Sequence, residues 1–307
     1  MRIVLIGQSA FGEAVFRALL EHREHVVGVF CPPDMEGRPT DPLKAAAEES
    51  GVTVHQFGRM RDQEAIEAFS GMSADLGVMA YVTDIVPSQI LENPRNGTIQ
   101  YHPSLLPKHR GPSSINWAII QGDESTGLTI FWPDKGLDTG PILLQKEVDI
   151  DPDDTTGSLY FDKLFPLGVE AMVEAVTMAR EGTAPRIEQD HSAATYESWC
   201  KASDVVVDWG MQIGDIYNLV RGSDPSPGSG TSLRGSKVRL YGTSPIPGDP
   251  GRPAGEVNGL TDEGFTVAAN GGSLLVRRVR PAGQGKLPAT EWAMQVGLRE
   301  GDRLGEW

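Results

Sequence analysis

The sequence predicts an α/β fold, a mainly parallel sheet followed by a second, smaller C-terminal β domain, a barrel or a sandwich. Three observations predict it. Short, nearly continuous apolar runs alternate with longer stretches of helical spacing, the pattern of a parallel sheet covered on both faces. Beyond residue 222 the pattern changes to short alternating runs separated by Gly and Pro, as in a small barrel or sandwich. The length, 307 residues, exceeds one domain's usual share and so favours two domains.

The elements follow in order. Residues 3–6 form a first strand, and residues 7–12 a turn punctuated by Gly7 and Gly12. Residues 13–22 carry Ala14, Phe16, Leu19 and Leu20 at helical spacing. Residues 26–30 are a strand, 43–49 an Ala/Glu-rich helix, 52–55 a short strand and 62–69 a helix. Residues 76–80 are a strand, 85–91 a short helix and 97–101 a strand that delivers His102. Residues 128–132 and 142–148 read as a hairpin, and 158–181 as a long amphipathic helix. Residues 183–198 are polar and irregular, and 215–221 make a helical turn or two. Residues 237–241, 264–269 and 274–279 supply the later strands, with a low-complexity loop at 247–255.

Charge and cysteine usage narrow the function classes. Forty-two acidic against 27 basic residues give a net charge of −15, which disfavours binding to nucleic acid or an anionic membrane. The two cysteines, Cys31 and Cys200, form no Cys-x-x-Cys pattern, so neither a disulfide nor a metal site is expected. The N-terminal apolar run is too short for a signal peptide or a membrane span, and a reducing cytoplasm is expected.

Two positions stand out chemically. His102 lies at the exit of an apolar strand, where open α/β sheets place ligand-binding residues, and Pro103 and Pro107 stiffen the loop behind it. Asp138 lies between Gly136 and Gly140, where the backbone can approach a ligand closely. A carboxylate beside a histidine favours its charged form and orients the ring, which makes a proton-transfer pair. Gln100, two residues before His102, shares its strand face, and its amide can donate to a developing oxyanion. Taken singly, each also reads as an ordinary strand-end or turn residue. Lys108, His109 and Arg110 suit an anionic substrate tail or a solvated face equally. The turn at residues 7–12 is neither Gly-x-Gly-x-x-Gly nor a P-loop, so a tight βα turn is expected there and NAD(P) is not.

Several separated blocks agree in order and spacing with one family. These are Tyr-His-Pro-Ser-Leu-Leu-Pro at 101–107, His-Arg-Gly at 109–111, Ile-Asn-Trp at 115–117, Ile-Phe-Trp at 130–132 and Gly-Leu-Asp-Thr-Gly at 136–140. Together with the opening residues 6–12, they resemble the 10-formyltetrahydrofolate-dependent formyltransferases. That family covers methionyl-tRNA formyltransferase, sugar and small-amine N-formyltransferases, and the N-terminal hydrolase domain of 10-formyltetrahydrofolate dehydrogenase. The resemblance is closest to the last and weakens after about residue 222.

The resemblance implies a Rossmann-like catalytic domain at 1–186, a linker at 187–204 and a smaller C-terminal β-barrel, OB-like domain at 205–307. It implies that His102 and Asp138 are the catalytic pair, with Gln100 beside them. It places the folate along Asp84, Ile85 and Val86 and against Ser104, Leu105, Leu106 and Pro107. The formyl donor is then 10-formyltetrahydrofolate, with no metal. At the position of Gln100 the transferases usually carry Asn and the hydrolase domain an apolar residue. Three acceptors compete. A small amine, such as a hydroxyornithine or an amino sugar, is favoured by the Gln100 amide. Water is favoured by the block matches, and methionyl-tRNA is disfavoured by the net charge. A folate-binding protein without turnover is the non-enzymatic alternative.

Overall fold

The computed structural model describes residues 1–305. The chain divides into two compact units, one of residues 1–111, 127–148 and 162–196, the other of residues 112–126, 149–161 and 197–305. The expected linker at 187–204 thus divides at Tyr196, its first part packing with the first unit.

The first unit is an α/β sheet flanked by helices, as expected. Its strands are β1 (Arg2–Gly7), β2 (His25–Cys31), β3 (Val54–Gln56), β4 (Leu76–Ala80), β5 (Thr98–His102), β6 (Ser125–Phe131) and β7 (Ile142–Asp149). Their order is β3-β2-β1-β4-β5-β6-β7, parallel from β3 to β5, with β6 antiparallel to β5. The helices are α1 (Ser9–Glu21), α2 (Pro42–Glu49), α3 (Gln63–Gly71) and α4 (Ser88–Leu91), with α5 (Ser114–Gln121) and α6 (Thr156–Ser158) assigned to the second unit and α7 (Phe165–Glu181) to the first.

Side-chain alternation in β1 explains the two layers. Ile3 and Leu5 join a core with Phe11, Val15, Leu19, Met172 and Val176, whereas Val4 and Ile6 join another with Phe69, Ile90 and Leu91. A strand buried on both faces reads as an unbroken apolar run, and each such side chain stabilises by about 1.5–3 kcal/mol. The single helix expected over 158–181 is interrupted. Residues 159–164 form a π-helical stretch, and α7 starts with Pro166 in its first turn. Proline has no N–H for the preceding turn, so the ladder is re-registered before it. The unanticipated α5 ends at Gly122 with a φ of 80°, a left-handed cap suited to glycine.

The second unit holds α8 (Ile213–Gly222), then β8 (Ser229–Leu233), β9 (Ser236–Pro247), β10 (Val257–Leu260), β11 (Phe265–Ala269), β12 (Gly272–Pro281) and β13 (Leu287–Pro288). Helix α9 (Ala289–Val296) and β14 (Leu304–Gly305) follow. The strands form one curled, half-barrel antiparallel sheet, ordered β10-β11-β12-β9-β8-β14 with β13 on β12, as expected of the smaller C-terminal β domain. Its core centres on Phe265, Val276 and Trp292, with the Phe265 and Trp292 rings 5.6 Å apart.

Candidate active site

Strand β5 positions the first candidate. Tyr101 points to the core, its ring 4.4 Å from Phe11, while Gln100 and His102 point to the opposite face. Tyr101 is backed by Gly168, where a Cβ would come within 2.7 Å of the ring, so α7 packs closely only because that residue is glycine. His102 is 6% exposed and sits opposite Thr129 of β6.

His102 and Asp138 come together. Nδ1 of His102 lies 3.7 Å from Oδ2 of Asp138, and both side chains are buried. Nε2 of His102 lies 2.8 Å from the carbonyl oxygen of His109. A carbonyl only accepts, so the network assigns the proton to Nε2 and leaves Nδ1 facing the carboxylate. The Nδ1 to Oδ2 separation exceeds a direct hydrogen bond. Asp138 Oδ2 accepts from the Gly111 amide at 2.9 Å. Asp138 adopts a φ of 55°, and His109 a φ of 53°. Such left-handed backbone is uncommon outside glycine and persists only where surroundings enforce it.

The enforcing residues were not legible in the sequence. The Thr195 side chain accepts from the His109 amide at 2.8 Å, and its carbonyl accepts from the Arg110 amide at 3.2 Å. The buried Gln189 donates to the carbonyls of Asp138 and Gly140. His109 and Arg110 are buried, so of the basic cluster only Lys108 presents an exposed charge. The one signal in the sequence was the polar and irregular segment at residues 183–198.

Gln100 is half-buried on the His102 face, with no hydrogen-bond partner for its amide among the described residues. The loop after His102 is a scaffold in its own right. Thr129 Oγ1 donates to the Ser104 carbonyl at 2.6 Å and accepts from Leu106 N at 3.1 Å. Gln145 donates to the Leu106 carbonyl at 2.8 Å, and the Leu106–Pro107 peptide is cis. Ser104 and Leu106 are therefore buried in this scaffold, while Leu105 and Pro107 stay partly accessible.

The remaining candidates lie along the same end of the sheet. A crevice of about 210 Å³ opens beyond the carboxyl ends of β1 to β4, lined by Ile6, Phe30, Phe57, Met60 and Asp84 among others. Chain order reverses between β1 and β4, where this fold class places its ligands. Asp84 accepts from the amides of Met60 at 2.6 Å and Ile85 at 2.8 Å. Ile85 is 75% exposed, whereas Val86 is buried in the core behind β4. The expected folate-contact residues are thus divided between surface, crevice and core. Cys31 also lines the crevice, but burial pushes its thiol up to about 12, which leaves no thiolate at neutral pH.

The N-terminus of α1 is occupied from within. Asp41 accepts from Ser9 N with Oδ1 at 3.0 Å and Oδ2 at 2.8 Å, and Oδ1 also caps α2 through Leu43 N at 2.9 Å. Gly7 lets the turn touch β4, since a Cβ there would meet the Ala80 carbonyl at 2.5 Å. The close βα turn expected at residues 7–12 is present, and its helix dipole already faces a carboxylate.

Comparison with known proteins places the chain among relatives. The family model described as formyl transferase matches residues 1–176, and that of the formyl transferase C-terminal domain matches residues 200–297. Mitochondrial 10-formyltetrahydrofolate dehydrogenase of Mus musculus is 42% identical over 305 residues, covering 95% of this chain and 33% of that protein. The chain thus spans about a third of the length of the dehydrogenases it matches. Methionyl-tRNA formyltransferase of Geotalea daltonii is 36% identical over 310 residues, covering 99% of this chain and 98% of that one. The solved structure of the sugar 3N-formyl transferase WlaRD, with dTDP and 5-N-formyl-THF, has a TM-score of 0.70. It is 16% identical and covers 93% of this chain and 99% of that one.

Proposed function

This chain belongs to the formyl transferase family, and we propose that it removes the formyl group of 10-formyltetrahydrofolate and passes it to a small-molecule amine. The observation that carries the reading is the buried His102–Asp138 pair, whose Nδ1 and Oδ2 face one another at 3.7 Å. The folate is a substrate here, the formyl donor. Attack on the formyl carbon puts negative charge on the formyl oxygen and requires a proton at the departing N10 nitrogen.

The residues suit both demands. His102 keeps Nε2–H on the His109 carbonyl, so Nδ1 is the atom that carries or yields a proton. Asp138 orients the ring and compensates its charge while taking part in proton transfer from the attacking group. The Gln100 amide, without a hydrogen-bond partner among the described residues, is available to the formyl oxygen. A preorganised donor of this kind typically contributes about 3–4 kcal/mol in the transition state. Asp84, Ile85, Leu105 and Pro107 are the accessible members of the expected folate-binding set. The carboxylate already seated on α1 argues against an acceptor held there by phosphate.

Hydrolysis, with water in place of the amine, is the second reading, supported by the greater identity to the dehydrogenases than to the methionyl-tRNA enzyme. Tetrahydrofolate release from 10-formyltetrahydrofolate, measured with and without a panel of amines, separates the two. Amine-dependent release with a mass gain on one amine supports transfer, and equal release without amine supports hydrolysis. No release in either arm, or full activity in His102→Ala, overturns the assignment.

A further inference from the structure

Gln189 is 5% exposed and uses every hydrogen-bonding atom of its side chain. Nε2 donates to the Asp138 carbonyl at 3.0 Å and to the Gly140 carbonyl at 2.7 Å. Oε1 accepts from Arg110 Nη2 at 2.7 Å. A primary amide offers two donors and an acceptor at one end, and this environment presents two carbonyls and one guanidinium.

What the amide joins gives it meaning. Arg110 lies between His109, whose carbonyl holds the His102 ring, and Gly111, whose amide holds the Asp138 carboxylate. On the other side, the two carbonyls belong to the loop that carries Asp138 in its left-handed conformation. Gln189 therefore bridges the segment that fixes the histidine and the segment that presents the acid. Arg110 Nη2 also reaches His191 Nδ1 at 2.9 Å, and Thr195 holds the His109 and Arg110 amides, so the segment behind Gln189 is anchored to the same loop.

We propose that Gln189 is a positioning residue that sets the spacing between His102 and Asp138. The proposal rests on the reading of those two residues as the catalytic pair. Its natural perturbation is Gln189→Glu, which keeps length and volume and retains an acceptor for Arg110. It turns two attractive contacts with carbonyls into repulsive ones, because an ionised carboxylate has no donor. The acid loop must then move, and displacement by about 1 Å costs on the order of 10²-fold in turnover. Arg110→Met is the second variant, removing the guanidinium without placing charge among the carbonyls.

The test is steady-state turnover of 10-formyltetrahydrofolate, with kcat and KM resolved, beside NMR of the histidine rings and a thermal melt. The expected result is a folded Gln189→Glu protein with kcat lowered about 100-fold, KM changed less than about threefold, and a displaced His102 ring resonance. The His55 resonance stays in place. A folded variant with wild-type kcat and an unmoved His102 resonance overturns the proposal, as does a loss carried by KM alone. If Gln189→Glu does not fold, the same readouts on Arg110→Met decide in the same way. If the wild type shows no turnover at all, the reading of the pair fails while the His102 resonance still decides whether Gln189 sets its surroundings.

Discussion

Replacing Asp138 by asparagine removes one charge and leaves the loop nearly untouched. Asn tolerates a φ of 55° at least as well as Asp does. Its side-chain oxygen can still accept from the Gly111 amide, the bond that now measures 2.9 Å. What disappears is the carboxylate charge facing Nδ1 of His102 at 3.7 Å. Two unit charges at that distance, in a medium of effective dielectric about 20, attract by about 4 kcal/mol. Desolvation of two buried groups takes part of that back, leaving about 3 kcal/mol for the imidazolium formed during turnover. That corresponds to roughly a 10²-fold loss of kcat. The assay is tetrahydrofolate release, with a thermal melt on the same sample. A midpoint within about 2 °C of wild type is expected, since the backbone conformation and its hydrogen bond persist. Asp138→Ala should differ, because it leaves a buried amide unsatisfied, at about 1–3 kcal/mol, and should lower both kcat and the melting midpoint. A kcat for Asp138→Asn within threefold of wild type refutes the argument, since no charge-dependent step would then involve this residue.

Gln100→Ile should lower amine-dependent turnover about 10²-fold through loss of one oxyanion donor, with amine-independent release changed far less. Product analysis on the same reaction checks it, and an equal fall in both activities counts against the role. Gly168→Ala places a methyl 2.7 Å from the Tyr101 ring and 3.0 Å from Phe11. Overpacking of that kind costs about 1–3 kcal/mol, so chemical denaturation should show a lower midpoint, and an unchanged midpoint sinks the packing account. His55 is stacked 4.7 Å from Phe30, with Nε2 buried and without a hydrogen-bond partner among the described residues, and burial holds its pKa below the ordinary histidine value. The folded state therefore prefers the neutral ring, and its contribution is present above the ordinary value and lost as pH falls through the lowered one. His55→Phe should flatten the fall in stability as pH drops below the ordinary histidine value, measured by denaturant midpoints, and an unaltered pH slope contradicts it.

The sheet was legible because its physics is local. Residues 76–80 form a purely apolar run between Asp75 and Tyr81, and β4 occupies the same five residues. Alternation in β5 similarly placed Gln100 and His102 on one face. Helix α5 was not anticipated, because Ser114–Gln121 is short and apolar on most sides, so periodicity cannot separate helix from strand. The long helix at 158–181 was anticipated unbroken because its amphipathic spacing outweighed the single Pro166. The candidate pair was legible as two residue types in two suggestive turns. Its geometry was not, since it depends on backbone in left-handed conformations at His109 and Asp138. Nor was Gln189, which acts 51 residues from Asp138 through hydrogen bonds that leave no periodic trace.

Asp41 shows why a fold class and a function separate here. Strand order with its reversal between β1 and β4, and a glycine turn opening α1, describe a domain suited to binding phosphate groups at a helix N-terminus. In this chain a phosphate would have to displace a carboxylate that caps two helices at once, through Ser9 N and Leu43 N. Losing such caps costs about 1 kcal/mol each before any ligand contact is made. The turn therefore serves packing, as Gly7 against Ala80 indicates, and the crevice beside it is left mostly apolar. The polar groups proposed for the chemistry lie beyond β4, with Gln100 and His102 on β5 and Asp138 brought against His102 by its own loop. A sequence search guided by the glycine turn alone looks at β1 and passes over the proposed pair, whose histidine lies on β5, and the departure of that turn from the dinucleotide fingerprint was the informative part.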